Sequence, residues 1–429
     1  MRDRGAMIGR IRRIGLIGLW ASTLFARDPG EFPTIEPFLF HARRGMPNVY
    51  AKLARGDEVR VAYLGASVTA GGGAHGWRDL TFAWFKRAYP NATLVQIHDP
   101  TGGTRSDLGA ARLKREVLDR APDLLFVEFG VNDLSMSYKR CVDTIEGIVR
   151  QTRKHDPATD IVFVQVLNRA AFATYGTGKC PHTVAAQEKV GEHYGIPSIN
   201  VGWHMAQKLM AAGDGSGAFW KKCYLDSVHP GPVGHKIYAE HLIGCLEQMR
   251  ATASPGRNEL PVPISPANWE DARLVSITDC ELSSGWGPET RERLKARFGE
   301  RFPDLRMATD AGETVRFSFR GTAFGVYQII GKDGGMLHAK VDGRACRTVR
   351  FINKHSLKNW RVFYAMLKEN LKPGLHEVEL RVSGTRLEQS KGTAVRIAGI
   401  ILRGELVKPG EVDRGGRARD PSHWSSESN

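Results

Sequence analysis

Between residues 58 and 250 the chain alternates short runs that are apolar on both faces with amphipathic stretches, and this alternation leaves few folds open. "VRVAYLG", "ATLVQIH", "DLLFVEFG" and "IVFVQVL" are rich in β-branched residues and show no polar face. Strands read this way when helices cover both sides of a parallel sheet. Between them, "WRDLTFAWFKRAY", "DLGAARLKREVLDR" and "YKRCVDTIEGIVRQTRKH" space their apolar residues three and four apart, one stripe per helix. The pattern predicts an open α/β sheet built from βαβ units.

The texture changes at "ATASPGRNELPVPISPANW", where four prolines mark a linker over 253–268. Beyond it, short alternating strands are separated by Gly and Asp-Gly turns: "TVRFSF", "AFGVYQII", "MLHAKVDG", "RVFYAML", "LHEVELRV" and "AVRIAGIIL". They predict an antiparallel β-sandwich of jelly-roll type over 269–407. A polar tail rich in Gly and Ser, 408–429, reads as disordered. A chain of 429 residues is expected to hold two domains, and 41% hydrophobic residues suffice for a core in each. No internal repeat is visible.

The first 26 residues have a basic front and then an apolar run from Ile14 to Ala26, the layout of an export signal with cleavage after Ala26. An uncleaved membrane anchor is the alternative, because Leu24 stands where a small residue is preferred three before the boundary. Arg12 and Arg13 also allow a twin-arginine route. Removing this segment takes away five Arg and one Asp, which lowers the formal charge from +15 to +11. No later stretch is long and apolar enough for a membrane helix, so no stable insertion is expected after cleavage.

The basic residues are scattered and form no aromatic-studded stripe, so nucleic acid is not expected as a partner. The charge reads as general attraction to anionic surfaces or polymers. Six cysteines lack any Cys-x-x-Cys spacing, which argues against a zinc cluster, and no metal or cofactor is expected. In an exported protein disulfides are possible, and Cys180 with Cys223 is the favoured pair among fifteen complete pairings.

Ligands in open α/β sheets bind at the carboxyl ends of the strands, and chemistry-bearing residues gather there. Ser67 follows the first strand in "LGASVTAGGG"; taken alone, it is as readily a helix cap. Gly102 and Gly103 in "HDPTGGTRSDLG" follow the second, and a glycine turn can aim backbone N–H groups at a ligand. Asn132 in "EFGVNDL" follows the third; with Asp133 it could equally cap a helix. Late in the chain, "YLDSVHPG" sets Asp226 and His229 three residues apart, so that a carboxylate can hold the imidazole's far N–H.

These four blocks, "LGASVTAG", "GGTRS", "GVND" and "DSVHP", occur in the order of the SGNH (GDSL-type) esterase superfamily, which residues 58–250 resemble. The usual Gly-Asp-Ser reads Gly65-Ala66-Ser67 here. The resemblance implies a flavodoxin-like three-layer α/β/α domain over 27–252. It implies Ser67 as nucleophile, His229 as general base and Asp226 as the carboxylate that orients it. An oxyanion hole would come from the backbone N–H groups of Ser67 and Gly103, with Gly102 as alternative, and from the Asn132 side chain. His75, Trp77 and the stretch "AFATYGTGKCPH" are further candidates for lining the site. The second region is similar to jelly-roll modules joined to carbohydrate acetylesterases, although there the module precedes the hydrolase.

The resulting expectation is an exported serine esterase that removes acetyl or other short acyl groups from a carbohydrate or another small ester. A polysaccharide O-acyltransferase using the same acyl-enzyme is the alternative, and a non-catalytic carbohydrate-binding protein is a third reading. The sandwich is expected to matter little for small esters.

Overall fold

Three of the doubly apolar runs become the centre of a parallel sheet, while the fourth, "ATLVQIH", is its half-exposed edge strand. The computed structural model describes residues 32–98, 100–213, 217–251 and 254–407. In chain order its first part holds β1 (Phe40–His41), α1 (Pro47–Arg55), β2 (Glu58–Gly65), α2 (Ser67–Ala70), α3 (Trp77–Ala88), β3 (Thr93–His98) and α4 (Ser106–Glu116). There follow β4 (Leu124–Glu128), α5 (Tyr138–His155), β5 (Asp160–Val164), α6 (Arg169–Tyr175), α7 (His182–Tyr194), β6 (Ser198–Ile199), α8 (Val201–Ala211), α9 (Ala218–Cys223) and α10 (Pro232–Gln248). The strand order is β1-β6-β5-β4-β2-β3, parallel throughout except for β1. After β2 the chain first moves outward to β3 and then returns across β2 to β4. The carboxyl end of β2 is therefore the switch point where loops part and leave a crevice, and Ser67 stands there.

The second part comprises β7 (Ala272–Val275), β8 (Glu281–Leu282), β9 (Gly287–Pro288), α11 (Glu292–Phe298), β10 (Arg306–Ala308) and β11 (Thr314–Ile330). It closes with β12 (Met336–Val341), β13 (Arg344–Arg350), β14 (Arg361–Lys368), β15 (Gly374–Val382) and β16 (Val395–Val407). The named strands pair antiparallel among the described residues, as an antiparallel sandwich requires, and a single parallel bridge joins Gly334 to Ala394. The stretches "TVRFSF" and "AFGVYQII", expected as two strands, form the single strand β11. Its register against β16 shifts between Gly321 and Ala323; the first half pairs with β15 and the second with β14. One bulged strand thereby serves both layers. Six elements of this part escaped the sequence reading: the short strands β7 to β10, and also β13 and α11. Strand β13, mostly exposed and basic, has no apolar alternation, and α11 is a two-turn helix inside an all-β pattern.

From Thr34 onward the chain clusters as one compact unit. The apolar side chains that cover one face of the parallel sheet, among them Leu108, Ala111 and Ile148, belong to the same buried cluster as Trp269, Tyr327, Trp360 and Ile401 of the second part. Each large side chain in such a cluster contributes on the order of 2 kcal/mol. The approach is close: at Gly147 of α5 a Cβ would lie 2.5 Å from the backbone of Trp269. The proline-rich segment is fastened along α5 as well, since Arg150 donates to Pro261 O at 2.7 Å and the Glu146 carboxylate accepts the N–H groups of Ile264 and Ser265.

All six cysteines are free thiols, which corrects the favoured Cys180–Cys223 disulfide. Cys223 ends helix α9 instead of sitting in a loop, and both side chains are buried in the apolar layer as small hydrophobic groups. Among the described residues no helix is long and apolar enough to cross a membrane. The export segment and the polar tail lie outside the described residues.

Candidate active site

Strand β2 ends at Gly65, and Ser67 opens the single turn α2, closed by the Ala70 N–H on Ala66 O at 2.9 Å and the Gly71 N–H on Ser67 O at 2.8 Å. The Ser67 hydroxyl makes no cap for that turn. It lies 2.9 Å from His229 Nε2, and His229 Nδ1 lies 2.7 Å from Asp226 Oδ2. An ionised carboxylate only accepts, so Nδ1 carries the proton and Nε2 faces the serine with its lone pair. Asp226 Oδ1 also accepts the N–H groups of Val228 and His229, each at 2.7 Å, which locks the Asp-x-x-His turn. Burial pulls the Asp226 carboxyl upward, but the backbone N–H of His229, its imidazole and the Val228 N–H outweigh this and hold it down to about 2. Trp220 Nε1 donates to Asp226 O at 2.9 Å, and the Arg169 N–H donates to Ser227 O at 2.8 Å, which steadies the turn from behind.

The glycine turn is tied to the same strand end by the Thr101 N–H on Gly65 O at 3.1 Å and is closed by the Thr104 hydroxyl on Thr101 O at 2.6 Å. Gly102 faces the serine; a Cβ there would meet the Ser67 Cβ at 3.5 Å. Gly103 has φ 75°, and a Cβ would collide at 2.7 Å with an Arg361 guanidinium nitrogen, so only glycine fits. Asn132 borders the same space, and its assigned carboxamide oxygen is buried without a partner. The capping function falls to Asp133 instead. Its carboxylate accepts the Ser106 N–H at 3.0 Å at the start of α4, which joins the asparagine block to the glycine block. Burial pushes the Asp133 carboxyl up to about 7, and burial does the same to Glu128 beneath the serine turn, which accepts from the Thr69 hydroxyl at 2.7 Å.

A cavity of roughly 590 Å³ lies over these groups, with Ser67, Gly102, Gly103, Asn132 and His229 on one wall. The structure thus brings together all five residues singled out from the sequence, Asp226 standing behind His229. His75, Trp77 and residues 171–182 do not line it. Trp77 is core, edge-on to Tyr63 and Phe126; His75 is exposed; and the stretch expected as a loop over the site begins with helix α6, capped by Asn168.

The opposite wall was not foreseen. It comes from the second part of the chain and includes Arg297, Phe298, Arg301, Trp360 and Arg361. Two side chains of the second part grip the glycine block from either side. Arg301 donates to the Thr101 hydroxyl and reaches Glu116 at 3.2 Å, while the Tyr364 hydroxyl accepts from Arg105 at 2.8 Å and donates to Asp107 at 2.5 Å. The one available signal was a tryptophan in a polar loop, "NKHSLKNWRV", where a large aromatic has no strand face to fill.

Residues 63–237 match the GDSL-like Lipase/Acylhydrolase family. The match runs from the end of β2 into α10 and so covers the α/β region. No curated protein matches this chain by sequence. Among solved structures, this chain is similar to a two-domain esterase (CEX) active on acetylated mannans, co-crystallized with mannopentaose. The identity is 20%, with 83% of this chain and 94% of that one covered and a TM-score of 0.70. A second crystal structure of a two-domain esterase (CEX) active on acetylated mannans aligns at 19% identity over 85% and 96% of the two chains, with a TM-score of 0.71. The likeness extends over both parts of this chain and establishes a shared two-domain fold.

Proposed function

We propose that the protein is an exported serine esterase that cleaves acetyl or other short acyl esters from a carbohydrate. The observation that carries this reading is the hydrogen-bonded chain Asp226–His229–Ser67 opening onto the cavity. In it, His229 Nε2 takes the Ser67 proton as Oγ attacks the acyl carbon, and Asp226 holds the ring and stabilises the imidazolium. The N–H groups of Ser67 and Gly103 and the Asn132 carboxamide receive the developing oxyanion, each donor supplying about 3 kcal/mol. The protonated imidazole then gives its proton to the departing sugar oxygen. Water, activated by the same base, releases the acyl group. No step in this cycle requires a cofactor.

The carbohydrate part of the proposal draws support from the two-domain fold shared with the esterase active on acetylated mannans. Export draws on the basic-then-apolar start of the chain, and the mature protein is expected to begin near Arg27. Screening acetate release from acetylated polysaccharides, with Ser67→Ala as control, tests the reading. Release that depends on Ser67 supports it, and equal release by the folded variant overturns it. Sequencing the N-terminus of protein recovered outside the cytoplasm tests export; a membrane-held chain starting at Met1 would favour the anchor.

A further inference from the structure

The charges around the cavity are one-sided. Arg297, Arg301 and Arg361 line it, His355 stands at its rim, and the lining contains no Asp or Glu among the described residues. Arg301 is occupied by Glu116 and Thr101. Arg361 and Arg297 have no carboxylate partner among the described residues, whereas ion pairs hold Arg291, Arg316, Arg396 and Arg403 of the second part. Arg361 is half-buried, and its guanidinium lies directly on Gly103, beside the place where an ester carbonyl would sit. The chain that delivers it is uniformly cationic: from Arg344 to Lys368 there are seven Lys or Arg and no Asp or Glu.

A half-buried guanidinium without a counter-charge gives up hydration and receives little in return until an anion arrives. It has donors only, arranged as a planar fork that matches two coplanar carboxylate oxygens. A cleft of one charge sign also concentrates oppositely charged solutes. We propose that the cavity selects an O-acylated saccharide bearing an anionic group, a uronic-acid carboxylate, bound by Arg361 and assisted by Arg297. This deepens the esterase reading and rests on it. The preference adds to the chemistry without altering it: the carboxylate pairs with Arg361 while the acyl carbon faces Ser67.

The test compares two substrates that differ only at C6, a mono-O-acetylated methyl glucuronoside and the matching methyl glucoside, with 4-nitrophenyl acetate as a neutral reference. The parent enzyme is expected to favour the uronate in kcat/KM by about ten-fold or more at low salt, the size of one charge-assisted bidentate pair. The preference should shrink as salt rises. In Arg361→Gln the ratio should fall toward one, while Arg361→Lys, which keeps the charge but loses the fork, should retain part of it. The ratio is taken within one preparation, so the folded fraction cancels. A parent without preference for the uronate, yet active on 4-nitrophenyl acetate through Ser67, overturns the proposal and leaves the esterase reading standing. Failure on all three esters overturns the esterase reading itself. If Arg361→Gln lowers both sugar esters equally, Arg361 serves the glycine turn and the proposal falls. A stronger preference for the matching 6-sulfate would replace the carboxylate by a sulfate ester.

Discussion

The two walls of the cavity are built from different materials. The α/β wall consists of short groups at strand ends: a serine, glycines, an asparagine and a histidine held by its neighbour. The facing wall consists of long side chains, arginines and a tryptophan, delivered by α11 and by the loop before β14. Bond-making chemistry needs atoms fixed to a fraction of an ångström, which strand ends and backbone provide. Selecting a substrate needs reach and charge, which long side chains on a second layer provide. The walls also differ in how they are held: the first by its own turns together with the Arg301 and Tyr364 contacts to its glycine block, and the second by a buried cluster shared between the two parts.

The most drastic way to break this contrast is to remove one wall. The sequence alone suggests that the α/β part would hydrolyse small esters without the sandwich. The shared cluster predicts otherwise: ending the chain at residue 252 uncovers the apolar face of α4 and α5, and the product should be insoluble or aggregated and without esterase activity. Soluble yield and size-exclusion chromatography decide it; a monodisperse, active truncation would show the walls to be independent.

Next in size is the chemistry of the first wall. Ser67→Ala and His229→Ala should each lower kcat/KM on a small activated acetate by about 10⁴-fold or more, because the residues act as one unit. Asp226→Ala should cost less. Asn132→Ala removes one oxyanion donor and should cost about a hundred-fold, mainly in kcat. Activity of folded Asn132→Ala within a few-fold of the parent would remove it from the oxyanion hole.

Smaller again is the effect of acyl length. The groups around Ser67 are small and partly polar, and no broad apolar trough accompanies them, so kcat/KM should fall by about ten-fold or more from acetate to octanoate. A better rate on octanoate would point to a lipid esterase.

The smallest effect concerns the joint between blocks. Burial raises the Asp133 carboxyl to about 7 from its ordinary 3.8. The folded state therefore holds that proton more tightly than the unfolded one, and stability is full below about pH 4 and declines as pH rises through 7. Asp133→Asn keeps an acceptor for the Ser106 N–H and removes the titration. Its Tm relative to the parent should rise by a few degrees between pH 4 and 8; a pH-independent difference would contradict the buried-carboxyl account.

How far the sequence could be read follows the same contrast. Continuous apolar runs and helical spacing located β2 to β5 and α3 to α5, because a sheet covered by helices and a helix with one buried stripe leave a direct trace in local sequence. The four blocks named Ser67, Gly103, Asn132, Asp226 and His229, since local turn chemistry dictates those residues. Arg297, Arg301 and Arg361 left no such trace: a surface arginine reads the same whether it faces water or a cavity wall formed by residues distant in the sequence. The same holds for β13, which is exposed and basic, and for β11, where a bulge at Gly321 looks like a turn until its neighbours are known.

The central claim is that Ser67 forms a covalent bond to the acyl group with help from His229. Intact-mass and peptide mapping after treatment with an activated organophosphonate ester test it most directly. The account predicts a single adduct on the peptide carrying Ser67, formed far more slowly in His229→Ala and absent from Ser67→Ala. An unmodified Ser67 in protein that still hydrolyses acetate esters, or an adduct on another residue that abolishes activity, would contradict it.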